Sequence, residues 1–281
     1  LIKYKKERLS NQNMQLRRKL IRGALGGIET MVAKRLSWSS LCILLMMAAA
    51  GFLPSDAMAE CKPDALGTSR TLTLPHSFAA YGKAQHGGLP LGPKEVVLTF
   101  DDGPRPETTP YVLDVLAKEC VKATFLTVGQ NLDAHPEIAR SELAAGHSIG
   151  IHSYSHAHMA SLSAEKQLED QDRTKKVYLS IFGTLPSAYR FPFLEETDTL
   201  MTALNSDGMT VLSVDVGIDD WQPNDTPEIL KNRLIDRLKI ANGGIILFHD
   251  ANEPTAKALP LLLQALKENG YKIVHLEWEP S

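Results

Sequence analysis

Asp101 and Asp102 end the apolar run of VVLTFDDGP, residues 96–104, as two adjacent carboxylates. Further along, HSYSH sets His152 and His156 four residues apart, Arg190 stands in an apolar stretch, Asp215 follows TVLSV, and His249 and Asp250 close ILFHD. These are the side-chain types that hold a divalent ion, carry a proton, or fix the charge of a group that does. Two imidazoles about one helical turn apart suit a metal, although H-x-x-x-H alone is a common pattern. Taken singly, an Asp-Asp pair also occurs in solvated turns, and a lone Arg is often a paired core charge. His135, His147 and His158 have no such company and read as structural or surface residues.

Each group needs a rigid element behind it. Apolar runs at 95–100, 123–128, 148–151, 188–191, 210–214, 245–248 and 272–275 predict strands. The segments 109–120, 135–146, 163–183, 196–208, 226–244 and 256–270 carry helical patterns, and several close on Gly just after the last apolar position. About seven βα units with no Pro/Gly/Ser-rich linker predict one α/β domain of parallel strands, a barrel or an open sheet. The polar residues then fall in register. Asp101 and Asp102 follow the first strand, His152 and His156 the third, Arg190 ends the fourth, Asp215 the fifth, and His249 with Asp250 the sixth. In a βα barrel those strand ends share one face, and that face carries the site.

Residues 60–93, rich in Gly and Pro, read as an irregular arm before the first strand, with the domain proper at 94–281. Residues 1–59 read as an upstream extension and a secretory signal peptide, with translation expected to start at Met31. Lys34 and Arg35 precede an apolar run over 41–53, and Ala57-Met58-Ala59 places the cut before Glu60. The run is short for a membrane span, so no stable anchor is expected; anchoring through the signal is the alternative. The first 36 residues hold ten Lys or Arg against two Glu, whereas the chain from Glu60 onward holds 20 basic and 30 acidic residues. That balance gives no reason to expect a nucleic-acid partner once the leader is gone. An exported, periplasmic or secreted chain would keep Cys61 and Cys120, an even number in an oxidising compartment, with a disulfide or two unpaired thiols as the alternatives.

In chain order, TFDDGP, HSYSH, Arg190-Phe191-Pro192-Phe193, Asp220-Trp221 and ILFHD resemble the five motifs of the polysaccharide deacetylases, carbohydrate esterase family 4, over about residues 94–275. The fold this resemblance implies is a distorted, incomplete (β/α) barrel, in agreement with the independent count of units. The implied activity is metal-assisted removal of acetyl from an N-acetylated amino-sugar polymer or oligomer. Asp102, His152 and His156 would hold one divalent ion, usually zinc, and Asp101 would be the general base, paired with Arg190. By the same resemblance the Phe193 backbone N–H would face the developing oxyanion, His249 would protonate the leaving amine, and Leu247 and Trp221 would wall the acetyl pocket.

This sequence departs from the family pattern at two places. Phe193-Leu194 stands where Tyr and then Gly or Asn are usual, and Gly217 stands where the fourth motif has its first Asp. The partner of His249 is therefore open among Asp215, Asp219 and Asp220. Asp215 directly follows a strand and is the expected partner; the two loop acids are the alternative. A hydrolase of small cyclic or linear amides and a non-catalytic glycan-binding protein are the other functions this fold could serve. Peptidoglycan, chitin oligomers, glucosamine polymers and O-acetyl esters all remain open as substrates.

Overall fold

The computed structural model describes residues 61–222 and 224–280. The expected leader and the cut before Glu60 lie outside the described residues. Among these residues ten strands form one sheet: β1 Thr68–Leu74, β2 Ala79–Tyr81, β3 Glu95–Asp101, β4 Thr124–Thr127, β5 Ser148–Ile151, β6 Ala188–Tyr189, β7 Thr210–Leu212, β8 Val216–Gly217, β9 Gly244–His249 and β10 Lys272–Trp278. The α-helices among the described residues are α1 Thr109–Lys118, α2 Gly129–Ala134, α3 Pro136–Ala144, α4 Ala164–Phe182, α5 Asp198–Ser206, α6 Pro227–Ala241 and α7 Glu253–Glu268. No helix among the described residues is long and apolar enough to cross a membrane.

Every strand pairing is parallel, because nearly every crossover runs through a helix that returns the chain to the same end. The order β9-β3-β4-β5-β6-β7, with β8 against β9, makes a distorted, incomplete (β/α) barrel. β3 is buried at every residue after Glu95, as a central parallel strand covered on both faces must be. Phe100 on β3 lies 5.2 Å from both Phe125 on β4 and Phe248 on β9, which fixes the middle of the sheet. Outside it, α1 buries Val112, Val115 and Leu116, and α7 buries Leu259, Leu262, Leu263 and Leu266, the spacing of one helical face. Ser163 caps the start of α4 and Gly183, at φ 74°, ends it, a backbone conformation that costs a glycine nothing.

Two strands lie within the arm expected at 60–93. β1 runs beside β10 from Thr68↔Ile273 to Leu74↔Trp278, and β2 runs beside β7. Arg70 closes a bidentate ion pair on Glu95 at 2.9 and 2.7 Å, tying β1 to the start of β3. The alternation in TSRTLTL, with burial rising and falling residue by residue, was present in the sequence. Its partner lies about two hundred residues away, which local pattern cannot supply.

Cys61 and Cys120 are joined as a disulfide across a sequence separation of 59. Backbone bonds from Gly67 to Glu119 and Thr68 to Cys120 run beside it. In the chain-entropy account, closing a loop of that length contributes on the order of 4 kcal/mol. Reduction is therefore expected to lower the thermal midpoint, and an unreduced digest should yield the linked Cys61 and Cys120 peptides. Recovering both thiols alkylated without reductant would contradict the bridge.

The strand expected at 210–214 stops at Leu212. Ser213 bonds back to Tyr81 of β2, and the chain then shifts partner to run as β8 beside β9, Val216↔Ile246 and Gly217↔Leu247. This change of partner decides where Asp215 goes.

Candidate active site

The C-terminal ends of β3, β5, β6 and β9 bring Asp101, Asp102, His152, His156, Arg190 and His249 onto one rim. Within a strand, neighbours point to opposite faces. Here Asp102 adopts φ 75°, and that left-handed step lets both carboxylates serve one site. The Asp102 carbonyl accepts from Asn131 Nδ2 at 2.6 Å, and the Gly103 carbonyl from the Val128 N–H at 3.0 Å, so the turn is held from β4 and α2. A side chain at Gly103 would collide with the buried Asp250 carboxylate. Asp250 in turn accepts from the Thr109 hydroxyl, whose oxygen accepts from the Arg105 N–H at 2.8 Å. Burial pushes the Asp250 carboxyl well above the ordinary aspartate range.

One ligand atom each of Asp102, His152 and His156 lies within 4.8 Å of the other two. Asp102 Oδ1 is buried with no hydrogen-bond donor and stands 3.2 Å from His156 Nε2 and 3.6 Å from His152 Nε2. His152 Nδ1 is 2.8 Å from the Arg190 carbonyl, an acceptor only, so Nδ1 carries the proton and Nε2 is left with its lone pair. Burial pulls the His152 pKa down to about 3, leaving the ring neutral as a ligand must be. An orphaned carboxylate oxygen between two imidazole nitrogens fits a divalent cation. Ser153 and His156 also take positive φ, at 60° and 52°. Of nine such non-glycine residues among the described ones, six (Asp102, Ser153, His156, Phe193, Leu194 and Asp219) belong to the loops of this rim, where strain held by the surroundings marks functional geometry.

Asp101 is buried beside this group. Its Oδ1 lies 2.7 Å from Arg190 Nη1 and its Oδ2 3.7 Å from His152 Nε2. Arg190 is itself fully buried and satisfied by Thr99 Oγ1 and the carbonyls of Leu212 and Ser213. Burial raises the Asp101 pKa above that of an ordinary aspartate, against the pull of Arg190 and His249.

His249 faces this group from β9, and its partner is Asp220. His249 Nδ1 lies 2.7 Å from Asp220 Oδ1, while Asp220 Oδ2 accepts from the His249 N–H at 2.8 Å and from the Thr255 hydroxyl. Burial opposes a charged imidazole, but the hydrogen bond and charge of Asp220, with Asp101 and Asp102 behind, raise the pKa to about 9. The expectation that Asp215 fills this place is corrected. Asp215 accepts from the Ile245 N–H at 2.6 Å and the Lys83 N–H at 2.7 Å. Its neighbour Ile245 is the second residue of β9 and lies four residues, about 13 Å of extended strand, below His249. The change of partner after Leu212 lowers residue 215 to the base of β9 and carries residues 218–221 up to the rim.

The cleft over the metal group has a volume of about 500 Å³ and is lined in part by Phe191, Phe193, Leu194, Trp221, Leu247 and Asn252. Phe193 and Trp221 are both about half exposed at its mouth. The Trp221 ring stands 5.6 Å from His249, nearly perpendicular. His158, read from sequence as a structural or surface residue, stacks flat on Phe193 with centroids 3.9 Å apart and pairs with Glu195 at 2.9 Å. No sequence pattern links these residues; the positive φ at Phe193 and Leu194 brings them together.

Comparison with known proteins decides the family. Residues 89–212 match the family model described as polysaccharide deacetylase. A peptidoglycan-N-acetylglucosamine deacetylase of Bacillus cereus is 33% identical over 191 residues, 66% of this chain and 88% of that protein. The chain belongs to the polysaccharide deacetylase family. It is also 30% identical over 184 residues to peptidoglycan-N-acetylglucosamine deacetylase PgdA of Listeria monocytogenes, covering 66% of this chain and 38% of that protein. The chain thus spans well under half the length of that relative. Among solved structures, the Bdellovibrio bacteriovorus peptidoglycan deacetylase Bd3279 superposes with a TM-score of 0.66 at 27% identity, over 78% of this chain and 61% of the other.

Proposed function

We propose that this chain is an exported zinc-dependent hydrolase that removes acetyl groups from the N-acetylglucosamine of peptidoglycan. The observation that carries the reading is the rim itself. A buried carboxylate on a buried guanidinium, a three-donor metal group and a carboxylate-backed histidine face one cleft from different strands. The names of the bacterial relatives support the polymer, and the Asp/His/His donor set suits zinc with positions open for water and substrate. The apolar leader and the Cys61–Cys120 bridge support export to an oxidising compartment.

When bound, a divalent ion held by Asp102, His152 and His156 supplies Lewis acidity and lowers the pKa of water. The protein does the rest. Asp101 takes the proton of the water that attacks the acetyl carbonyl carbon, and Arg190 keeps that carboxylate aimed. The Phe193 backbone N–H donates to the oxygen that gains charge. His249 gives its Nε2 proton to the sugar nitrogen as the C–N bond breaks, leaving acetate and a free amine. Asp220 keeps Nδ1 protonated and stabilises the cationic ring before that transfer. Trp221 and Leu247 wall the pocket for the methyl group.

The test is acetate release from peptidoglycan, chitin oligomers and an acetylated ester, with and without chelator. Peptidoglycan should turn over fastest, chelation should abolish release, and added zinc should restore it. Amide cleavage of small substrates alone would favour the amide-hydrolase reading. Glycan binding with no acetate from any substrate would favour a binding protein.

A further inference from the structure

Three successive residues of the loop after β8 go to three different places. Asp219 turns back toward α6, Asp220 is fully buried against His249, and Trp221 is 54% exposed at the mouth of the cleft. Asp219 takes φ 52°, a conformation that L side chains seldom adopt without support. The support is a pair of arginines one helical turn apart on α6. Arg237 grips the Asp219 carboxylate with both terminal nitrogens, at 3.0 and 2.5 Å, and donates to the Gly217 carbonyl at 2.6 Å. Arg233 donates to the Ile218 carbonyl at 2.6 Å, to the Asp219 carbonyl at 3.4 Å and to the Asp225 carboxylate at 2.5 Å. Three consecutive backbone carbonyls and two carboxylates therefore rest on two guanidinium groups. The planar fork of arginine can hold several acceptors in fixed directions, and a lysine ammonium cannot. The device sits where Gly217 replaces the acid of the family pattern.

We propose that Arg233 and Arg237 are positioning residues of the active site, setting the loop so that Asp220 meets His249 and Trp221 closes the acetyl pocket. Neither arginine touches the reacting atoms. Both act through Asp219 and the backbone of residues 217–219, so the inference rests on the deacetylase reading for its kinetic consequence and on geometry alone for its structural one.

The test uses the zinc-loaded protein with Arg237→Ala, Arg237→Lys and Arg233→Lys, and Lys239→Ala on the same helix as control. Histidine NMR without substrate follows the His249 ring, which faces Asp220, Asp101 and Asp102. Arg237→Ala should lower the His249 midpoint from about 9 by roughly one pH unit or more, as the bond to Asp220 loosens. Acetate release at pH 8 should fall roughly 2-fold through kcat for a one-unit shift and roughly 10-fold for a two-unit shift, with bound zinc unchanged and with recovery at lower pH. Arg237→Lys should recover only part of either effect, and Lys239→Ala should behave as the parent. A lower melting temperature with an unmoved His249 midpoint and an unmoved pH profile would overturn the proposal and leave the arginines as braces of the fold. If Arg237→Ala does not fold, the two Lys variants carry the same readouts. Should the parent release no acetate from any substrate, the functional reading fails, while the NMR midpoint still decides the clamp.

Discussion

Asp101→Asn is expected to lower kcat by about 10²- to 10⁴-fold while the protein stays folded and keeps its metal, since that is the usual range for losing a general base. The amide matches the carboxylate in size and can still accept from Arg190, so the 2.7 Å contact survives in weaker form. Arg190 also keeps its bonds to Thr99 and to the carbonyls of Leu212 and Ser213. What the amide cannot do is take a proton. Asp102, His152 and His156 are untouched, so metal content should match the parent. Acetate release with metal analysis checks both halves, and an undiminished rate would remove Asp101 from the role of base.

Asp220→Asn should move the basic limb of the pH–rate profile to lower pH. His249 must be protonated to serve as acid, and it is Asp220 above all that lifts its pKa to about 9 against the effect of burial. Without the carboxylate the pKa should fall toward or below the ordinary value of 6.5. At pH 8 that costs on the order of 10- to 100-fold in rate through the lost protonated fraction alone, with much of it regained near pH 6. Stability follows the same sign. A raised folded-state pKa contributes stability that is fully present below pH 6.5 and lost as the pH rises through about 9. The variant should therefore lose its stability deficit as the solution becomes alkaline. Asp215→Asn should leave the limb in place and lower the melting temperature instead, because that carboxylate accepts the backbone N–H groups of Ile245 and Lys83. An Asp215→Asn protein with the shifted limb and an Asp220→Asn protein without it would reverse the assignment.

The layout of the chemistry is legible in local sequence pattern. Strand and helix periodicities alternate along the chain, and the chemistry-bearing residues follow apolar runs, so a parallel βα arrangement had to gather them on one rim. Asp101, Asp102, His152, His156, Arg190 and His249 were all legible in that way, because each lies at or within a few residues of the end of its strand and the strand fixes its height. Asp220 was not. Asp215, Asp219 and Asp220 are three identical side chains within six residues, and local pattern favours Asp215, which directly follows an apolar run. The structure chose among them through a non-local event, the change of partner after Leu212 from β6 to β9, which seats Asp215 at the base of the barrel. The same limit hid β1, whose alternation was visible but whose partner β10 lies at the other end of the chain. It hid Arg233 and Arg237 too, which read as ordinary charges on a helix face until the loop of residues 217–225 is laid against them. A residue's type and its height on a strand are local properties carried by sequence. Which two side chains meet across the rim depends on strand stagger and helix docking, and only the packed tertiary structure sets those.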